Sequence, residues 1–464
     1  MVGGGRVISQ TLAPSILQGH VPKVLRTLPE ESVHCVVTSP PYWALRTYGT
    51  VPQIWGGDRR CLHSWDTVTI PSGNGQVTHP IVAETLNTAS ATRSPRASTS
   101  CGKCGAWKGE LGLEPTPELY VDHLADVFDA IWRVLRADGS LWLNLGDTYC
   151  THPAGLTGAK RWKASTIVVR DRTGAEQAGS IDKRPPGLKE KDLVGIPWAV
   201  AFELRRRGWF LREDIIWAKR NPMPEPVRDR LTRSHEYVFL LTRSPRYFYD
   251  AEAVREPIRE SSLRRLRHHL PNPRDNPRYH SKHSRGDFRR FPMLANTDPK
   301  GRNLRSVWQI ATQPYPGAHF ATFPEALAEI CIRAGTSAKG ACVNCGTPWV
   351  HKVRAEGGGI GHDWHPLKSL ALGRGQGIAA PGIHDGTYRR IDMGFRKDCS
   401  CPTREVFPCL VLDPFVGSGT VLAVARRLRR RSVGIDLNPE YAVLAEARID
   451  YAVESLGERA EAEA

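Results

Sequence analysis

The string Thr38-Ser39-Pro40-Pro41-Tyr42-Trp43 sets a hydroxyl, a proline-stiffened carbonyl and two aromatic rings side by side. Ser39 Oγ and the Pro40 carbonyl can each accept a hydrogen bond from an N–H group. Pro40 and Pro41 fix the loop before anything binds, so the acceptors are already in position. The Tyr42 ring offers a face for a planar heterocycle, and Trp43 either forms a second wall or backs the loop. Such a set suits holding the N–H groups of a planar heterocycle against fixed acceptors.

A second string, Asp413-Pro414-Phe415-Val416-Gly417-Ser418-Gly419-Thr420, lies near the other end of the chain. Gly417 and Gly419 permit positive φ and close approach of backbone to a ligand. A helix opening near Thr420 presents free N–H groups to a carboxylate, and Ser418 and Thr420 add hydroxyls. The strand that follows ends at Asp436, whose carboxylate is placed to accept from both hydroxyls of a ribose. Each string alone is an ordinary turn after a strand. Together they are specific, because fixed acceptors beside an aromatic face are paired with a loop suited to a nucleoside with a charged tail.

Two cysteine sets have metal-ligand spacing: Cys61-Leu-His63 with Cys101-Gly-Lys-Cys104, and Cys342-Val-Asn-Cys345 with Cys399-Ser-Cys401. Neither has a catalytic base beside it, so a structural zinc ion holding an insertion together is expected. Pro408-Cys409 is the one Pro-Cys pair that could supply a thiolate nucleophile, but it opens the strand feeding the glycine loop. Cys409 therefore reads as a small buried residue. The 464 residues carry a formal net charge of +16, which favours a polyanionic partner. No run approaches ~18 apolar residues and the first residues lack a secretory apolar core. The expected location is therefore a reducing one, the cytoplasm, with no membrane partner.

The elements that must position these strings read as α/β, a doubly wound, mainly parallel sheet. Val33 to Val37 and Cys409 to Leu412 are buried β-branched runs, each delivering its loop at a carboxyl end. Pro117-Glu118 opens an amphipathic helix that stops at Asp138-Gly139, and Ser140 to Leu145 is the next strand. A helix over 199–207, strands over 211–217 and 237–242, and a helix over 324–333 follow. The end is a βαβα run with strands 409–412 and 432–436 and helices 420–430 and 439–453. One domain over 1–464 is expected. It is interrupted by a metal-binding insertion at 56–112, a basic stretch at 255–305 and a second metal-binding insertion at 339–404. The basic stretch holds 14 Lys or Arg against 5 Asp or Glu.

The two strings, in this order, resemble the S-adenosylmethionine-dependent DNA amino-methyltransferases in their permuted β group. The resemblance implies a Rossmann-like sheet of seven strands and methyl transfer to a base amine of double-stranded DNA, with the base flipped out. The site would be Ser39, Pro40, Pro41 and Tyr42 for chemistry, and Asp413, Phe415, Gly417, Ser418, Gly419, Thr420 and Asp436 for the cofactor. His319-Phe320-Ala321-Thr322-Phe323-Pro324 is similar to the family segment beside the methionine end, which adds Phe320, Thr322 and Phe323. Asn221, Pro222 and His235 fall in a later family motif that lines the base pocket. Where relatives place an Asp after the glycine of the opening strand, this chain has Gln18-Gly19-His20 and that contact is not expected. The stretch 255–305 takes the place of target recognition, with Arg264, Arg265, Arg267, Arg289 and Arg290 for phosphates or guanine edges. Serine at position 39 points to N4 of cytosine, with N6 of adenine as the alternative. A chain of another class, an inactive zinc-dependent DNA-binding protein on this fold, would have no need of the intact strings. The family implies a bacterial or phage enzyme of restriction–modification or epigenetic use. Protein partners are not readable.

Overall fold

The computed structural model describes residues 14–45, 47–70, 96–150, 187–257, 301–313, 323–356 and 389–462. The described chain divides into two compact units. The first comprises Met1–Phe248, Ser306–Ala338 and Phe407–Ala464, and the second Tyr249–Arg305 with Lys339–Val406.

The first unit is built on one sheet. Its strands are β1 (Ser15–Gln18), β2 (Val33–Thr38), β3 (Leu135–Leu145), β4 (Phe210–Lys219), β5 (His235–Thr242), β6 (Val307–Ile310), β7 (Leu410–Asp413) and β8 (Arg431–Asp436). They lie in the order β1-β8-β7-β2-β3-β5-β4-β6. Only β5 runs against the rest, pairing antiparallel with β3 and β4. The sheet has eight strands, not seven. The extra one is β6, four residues pairing parallel with β4 at the edge, just after the basic stretch where no strand was expected.

Central strands β2 and β7 are buried at every residue, as strands covered on both faces must be. They adjoin each other, with Val411 opposite Cys35 and Leu412 opposite Val36. Two loops 375 positions apart therefore leave the same edge of one sheet. That is the crevice where doubly wound folds bind ligands.

The helices are α1 (Val21–Leu25), α2 (Pro117–Val134), α3 (Ile196–Arg206), α4 (Glu325–Gly335), α5 (Thr420–Arg427) and α6 (Pro439–Ala462). Helix α2 starts where its sequence says: Thr116 caps it by accepting from Leu119 N–H, with Pro117 in the first turn. It ends earlier than the Asp138-Gly139 signal, because Leu135 is already extended at φ −72°, ψ 135°. Asp138 and Gly139 instead sit in a bulge of β3, between the rungs Val33–Leu135 and Cys35–Ser140. A Cβ on Gly139 would come within 3.0 Å of the His34 carbonyl, so the bulge needs a glycine. Cys409 is fully buried, and burial pushes its thiol up to about 11, which rules it out as a ready nucleophile.

Three strands of the stretch 56–112, Trp65–Ile70, Arg96–Cys101 and Trp107–Gly109, form a small antiparallel sheet with Gln53–Trp55, which starts ahead of the expected boundary. In the second unit, Val350–Glu356 pairs antiparallel with Arg389–Arg396. His351 there lies between two carboxylates, 3.3 Å from Asp250 and 3.2 Å from Asp392. Among the described residues no helix is long and apolar enough to cross a membrane.

Candidate active site

The glycine loop is held by its own neighbourhood. Asp413, ending β7, accepts from Phe415 N–H at 3.1 Å, and Asp436, ending β8, accepts from Gly417 N–H at 3.0 Å. Asp436 also accepts from Asn438 N–H at 2.9 Å. These bonds use two of the roughly four lone-pair directions of its carboxylate, leaving acceptor capacity toward a ligand. Gly417 and Gly419 have φ of 47° and 78°, as the sharp strand-to-helix turn demands. Gly419 serves packing more than ligand approach: a Cβ there would meet Ala445 Cα of α6 at 2.9 Å. Ser418 and Thr420 are buried, and Arg448 of α6 donates to both hydroxyl oxygens, at 3.0 and 2.8 Å. The two hydroxyls also lie 3.4 Å apart, one donating to the other, so one proton of the pair is left to donate to a ligand.

The diproline loop is held from afar. Thr38 Oγ1 donates to Asp413 Oδ1 at 2.8 Å and ties this loop to the glycine loop. Tyr120 of α2 donates to the Pro41 carbonyl at 2.7 Å. Trp43 is buried and donates its indole N–H to the Glu114 carbonyl, so it backs the loop and does not form a wall. Ala44 adopts φ 51°, a strained value for a residue with a side chain, and is fixed by its N–H on the Gly112 carbonyl at 2.7 Å.

Ser39 Oγ donates to the Tyr42 hydroxyl at 3.1 Å, and that hydroxyl donates on to Glu236 Oε2 at 2.8 Å. Glu236 also accepts from Asn144 Nδ2 at 3.1 Å and from Lys219 at 2.6 Å. The chain of donors has a consequence for Ser39. Its proton is committed inward, so its lone pairs are left to accept from outside. Lys219 and Glu236 lie in the later family motif without being singled out by it, and Asn144 lies outside every motif; the structure brings all three to Tyr42. Asn144 carried a signal, a polar residue in the apolar strand Leu141-Trp142-Leu143-Asn144-Leu145.

One cavity gathers both loops. Ser39 and Pro41 line it together with Asp413, Phe415, Gly417, Ser418, Thr420, Phe323 and Asp436. Pro40, which is buried, does not line it, nor do Tyr42, Gly419, Asn221, Pro222 or His235. Asn221 instead accepts from Thr312 N–H at 2.8 Å. Phe320, Thr322 and the five arginines named above lie outside the described residues. His20 does line the cavity, edge-on to Trp55 at 4.6 Å. Both its ring nitrogens are shielded from water and have no hydrogen-bond partner among the described residues. Burial, with Lys23 and Arg26 nearby, lowers its pKa to about 4 and keeps it neutral. The substitution at this position leaves an open donor–acceptor pair facing the cavity. Asp413 is fully buried, and desolvation raises its pKa to about 7 against the bonds from Thr38 and Phe415.

Both cysteine sets converge. In each, the four ligand atoms lie within 4.8 Å of one another: Cys61, His63, Cys101 and Cys104 in the first unit, Cys342, Cys345, Cys399 and Cys401 in the second.

A doubly wound sheet with a glycine loop and an acidic strand end beside it, sharing one cavity with a diproline loop, is the arrangement of a nucleotide- or nucleoside-binding α/β protein. The sequence comparisons agree with that class. A family model described as DNA methylase matches residues 33–343 and 409–447. The Type II methyltransferase M.SmaI of Serratia marcescens is 31% identical over 439 residues, covering 94% of this chain and 90% of that protein. The Type II methyltransferases M.Cfr9I of Citrobacter freundii and M.XycI of Xanthomonas campestris pv. cyanopsidis are each 31% identical over 436 residues, covering 94% of this chain and 87% of theirs. This chain belongs to the DNA amino-methyltransferase family, whose members act at N4 of cytosine or N6 of adenine.

Proposed function

We propose that the protein is a Type II, site-specific DNA methyltransferase that modifies N4 of cytosine in double-stranded DNA. The observation that carries this reading is the shared cavity: Ser39 and Pro41 face the same space as the glycine loop and Asp436. S-adenosylmethionine, when bound, supplies an electrophilic sulfonium methyl. The fit rests on the donor set, with Asp436 for ribose hydroxyls, the Ser418 and Thr420 hydroxyls for the carboxylate, and the unpartnered His20 beside them.

The chain's own groups then prepare the amine. Ser39 Oγ and the Pro40 carbonyl accept its two N–H bonds, drawing the nitrogen toward tetrahedral geometry so that its lone pair can attack in line. Tyr42 supplies a ring face for the flipped base, with its hydroxyl fixed by Glu236. No covalent enzyme intermediate is needed: as the N–C bond forms, the electron pair of the broken S–C bond would stay on sulfur as a neutral thioether, and the alkylated amine would then give one proton to solvent. The net charge of +16 favours duplex DNA as partner, and the stretch 255–305 is the candidate reader of its sequence. Each cysteine set holds one structural zinc ion. Cys61 Sγ and Cys101 Sγ are 3.9 Å apart, close to the ~3.8 Å edge of a tetrahedron with ~2.3 Å Zn–S bonds.

The family model spans both amine classes, so N6 of adenine is the second reading; Ser39 favours cytosine. Unmodified DNA incubated with the protein and S-adenosylmethionine, digested and resolved by mass spectrometry, is expected to contain N4-methylcytosine. N6-methyladenine would replace the cytosine assignment. No methylated nucleoside, with cofactor bound, would make the chain an inactive DNA-binding relative.

A further inference from the structure

We propose that the metal held by Cys61, His63, Cys101 and Cys104 sets one wall of the cofactor cavity and the seat of the diproline loop. Cofactor binding then depends on this metal and not on the one in the second unit. The inference rests on the reading that the cysteine sets bind metal, and goes beyond it.

The knuckle turn is the starting point. Cys101 N–H donates to the Ala106 carbonyl at 2.7 Å and Gly105 N–H to the Cys101 carbonyl at 2.9 Å, with Gly105 at φ 71°. The second set repeats it: Cys342 N–H to the Thr347 carbonyl at 2.9 Å, Gly346 N–H to the Cys342 carbonyl at 2.8 Å, and Gly346 at φ 70°. These are two copies of one metal-binding device, set in different surroundings.

Around the first copy the strands are very short. Gln53–Trp55 and Trp107–Gly109 have three residues each. Among the described residues the buried apolar side chains of the stretch 53–112 are Trp55, Cys101, Ala106, Trp107 and Leu111, one of them a metal ligand. A sheet with so small a core needs a staple to hold its shape. The ligand strand connects directly to the cavity wall, since Ser100 pairs with Trp107 and Trp107 with Trp55. Gly57 follows, so close to the knuckle that a Cβ would lie 2.9 Å from Cys104 Sγ.

From here the stretch reaches the active site by two routes. Gln53, Trp55, Glu110 and Leu111 line the cavity that the glycine loop also lines. Trp55 and Trp107 both stack on His123 of α2, at 5.7 and 5.6 Å, and His123 Nδ1 lies 3.1 Å from the buried Glu114. Glu114 accepts from Gly112 N–H through its carboxylate at 2.7 Å and from Trp43 through its carbonyl. The Gly112 carbonyl in turn accepts from Ala44, as described above. Freed from its metal, the sheet loses the order of Trp55 and of the 110–114 segment together. The cavity then opens and the Ser39–Ala44 turn loses two of its anchors.

The experiment uses the full chain. Metal content by emission spectrometry is expected to be two zinc ions per protein, and one in each of Cys104→Ser and Cys345→Ser. Isothermal titration with S-adenosylmethionine should give a Kd raised at least tenfold in Cys104→Ser and within twofold of wild type in Cys345→Ser. Because Cys104→Ser could misfold, Cys345→Ser is also stripped of its remaining metal and titrated with zinc. Cofactor binding should be lost on stripping and should return with one equivalent. Cys104→Ser with one zinc and an unchanged Kd, or stripped protein that binds cofactor normally, would overturn the coupling while leaving the metal reading intact. A wild-type chain without zinc would instead overturn the metal reading.

Discussion

The two loops that share the cavity are supported in opposite ways. The glycine loop is mostly local: its backbone bonds run among Asp413, Phe415, Val416, Gly417, Ile435 and Asp436, within one βαβ unit, and among the described residues only Thr38 and Arg448 reach it from outside. The diproline loop is held by side chains borrowed from elsewhere, with Tyr120, Asn144 and Glu236 lying 79, 102 and 194 positions away from the loop residues they bind. A nucleoside site can be encoded in one short stretch, because backbone geometry does most of the binding. A site that must orient an amine needs fixed side-chain acceptors, and those need a finished tertiary structure around them.

This contrast orders the ways to break the site. Glu236→Leu should have the largest effect. It strips Tyr42 and Asn144 of an acceptor and leaves Lys219 without its carboxylate. Single-turnover methyl transfer is expected to fall by roughly 10²–10³-fold, the scale of losing one preorganised group, with cofactor Kd within a few-fold of wild type. An equal loss of cofactor affinity would mean the two loops are not separable. Asp436→Ala is the converse. It removes charge-assisted bonds to Gly417 and Asn438 and the acceptor for ribose, and cofactor affinity should drop roughly 10–100-fold at about 1.5–3 kcal/mol.

Trp43→Phe keeps the buried ring but deletes the bond to the Glu114 carbonyl. It should cost about 1–2 kcal/mol in denaturant unfolding and lower turnover without changing metal content. The last test is in pH dependence. With its pKa raised to about 7, Asp413 stays protonated in the fold at pH values where the unfolded chain has lost that proton. Cofactor-free protein therefore loses stability as pH rises from about 4 to 7, by at most ~1.4 kcal/mol per pH unit from this group. His20 acts in the opposite direction, since its lowered pKa costs stability as pH falls from 6.5 toward 4. The difference between wild type and Asp413→Asn isolates the first slope; identical curves would show that Asp413 carries none of it.

The same contrast explains what could be read in advance. Strands β7 and β8, their helices and Asp436 are legible because each rests on neighbours in sequence, and the glycines announce the turn. The diproline string is legible as a string, but not its supports: nothing around Glu236 or Lys219 says that they meet Tyr42. Strand β6 was missed because four residues, Val307-Trp308-Gln309-Ile310, carry too little period to separate from a loop. The end of α2 differs from its sequence signal because Asp138-Gly139 serves a strand bulge as well as a helix stop. His20 was set aside for lacking a carboxylate, yet a backbone bond from Gly19 N–H to the Asp436 carbonyl places it beside the cavity regardless.

The second unit is spliced from two inserts, 249–305 and 339–406, with β6 and α4 of the first unit running between them. Asp250 belongs to one insert and His351 with Asp392 to the other, so a single imidazole clasps both. Exchanging one insert for a sequence without its member of this pair separates the two and, where His351 is the one lost, strands the buried Asp250 carboxylate. A chimaera of the second unit therefore has to carry the two inserts as a matched set.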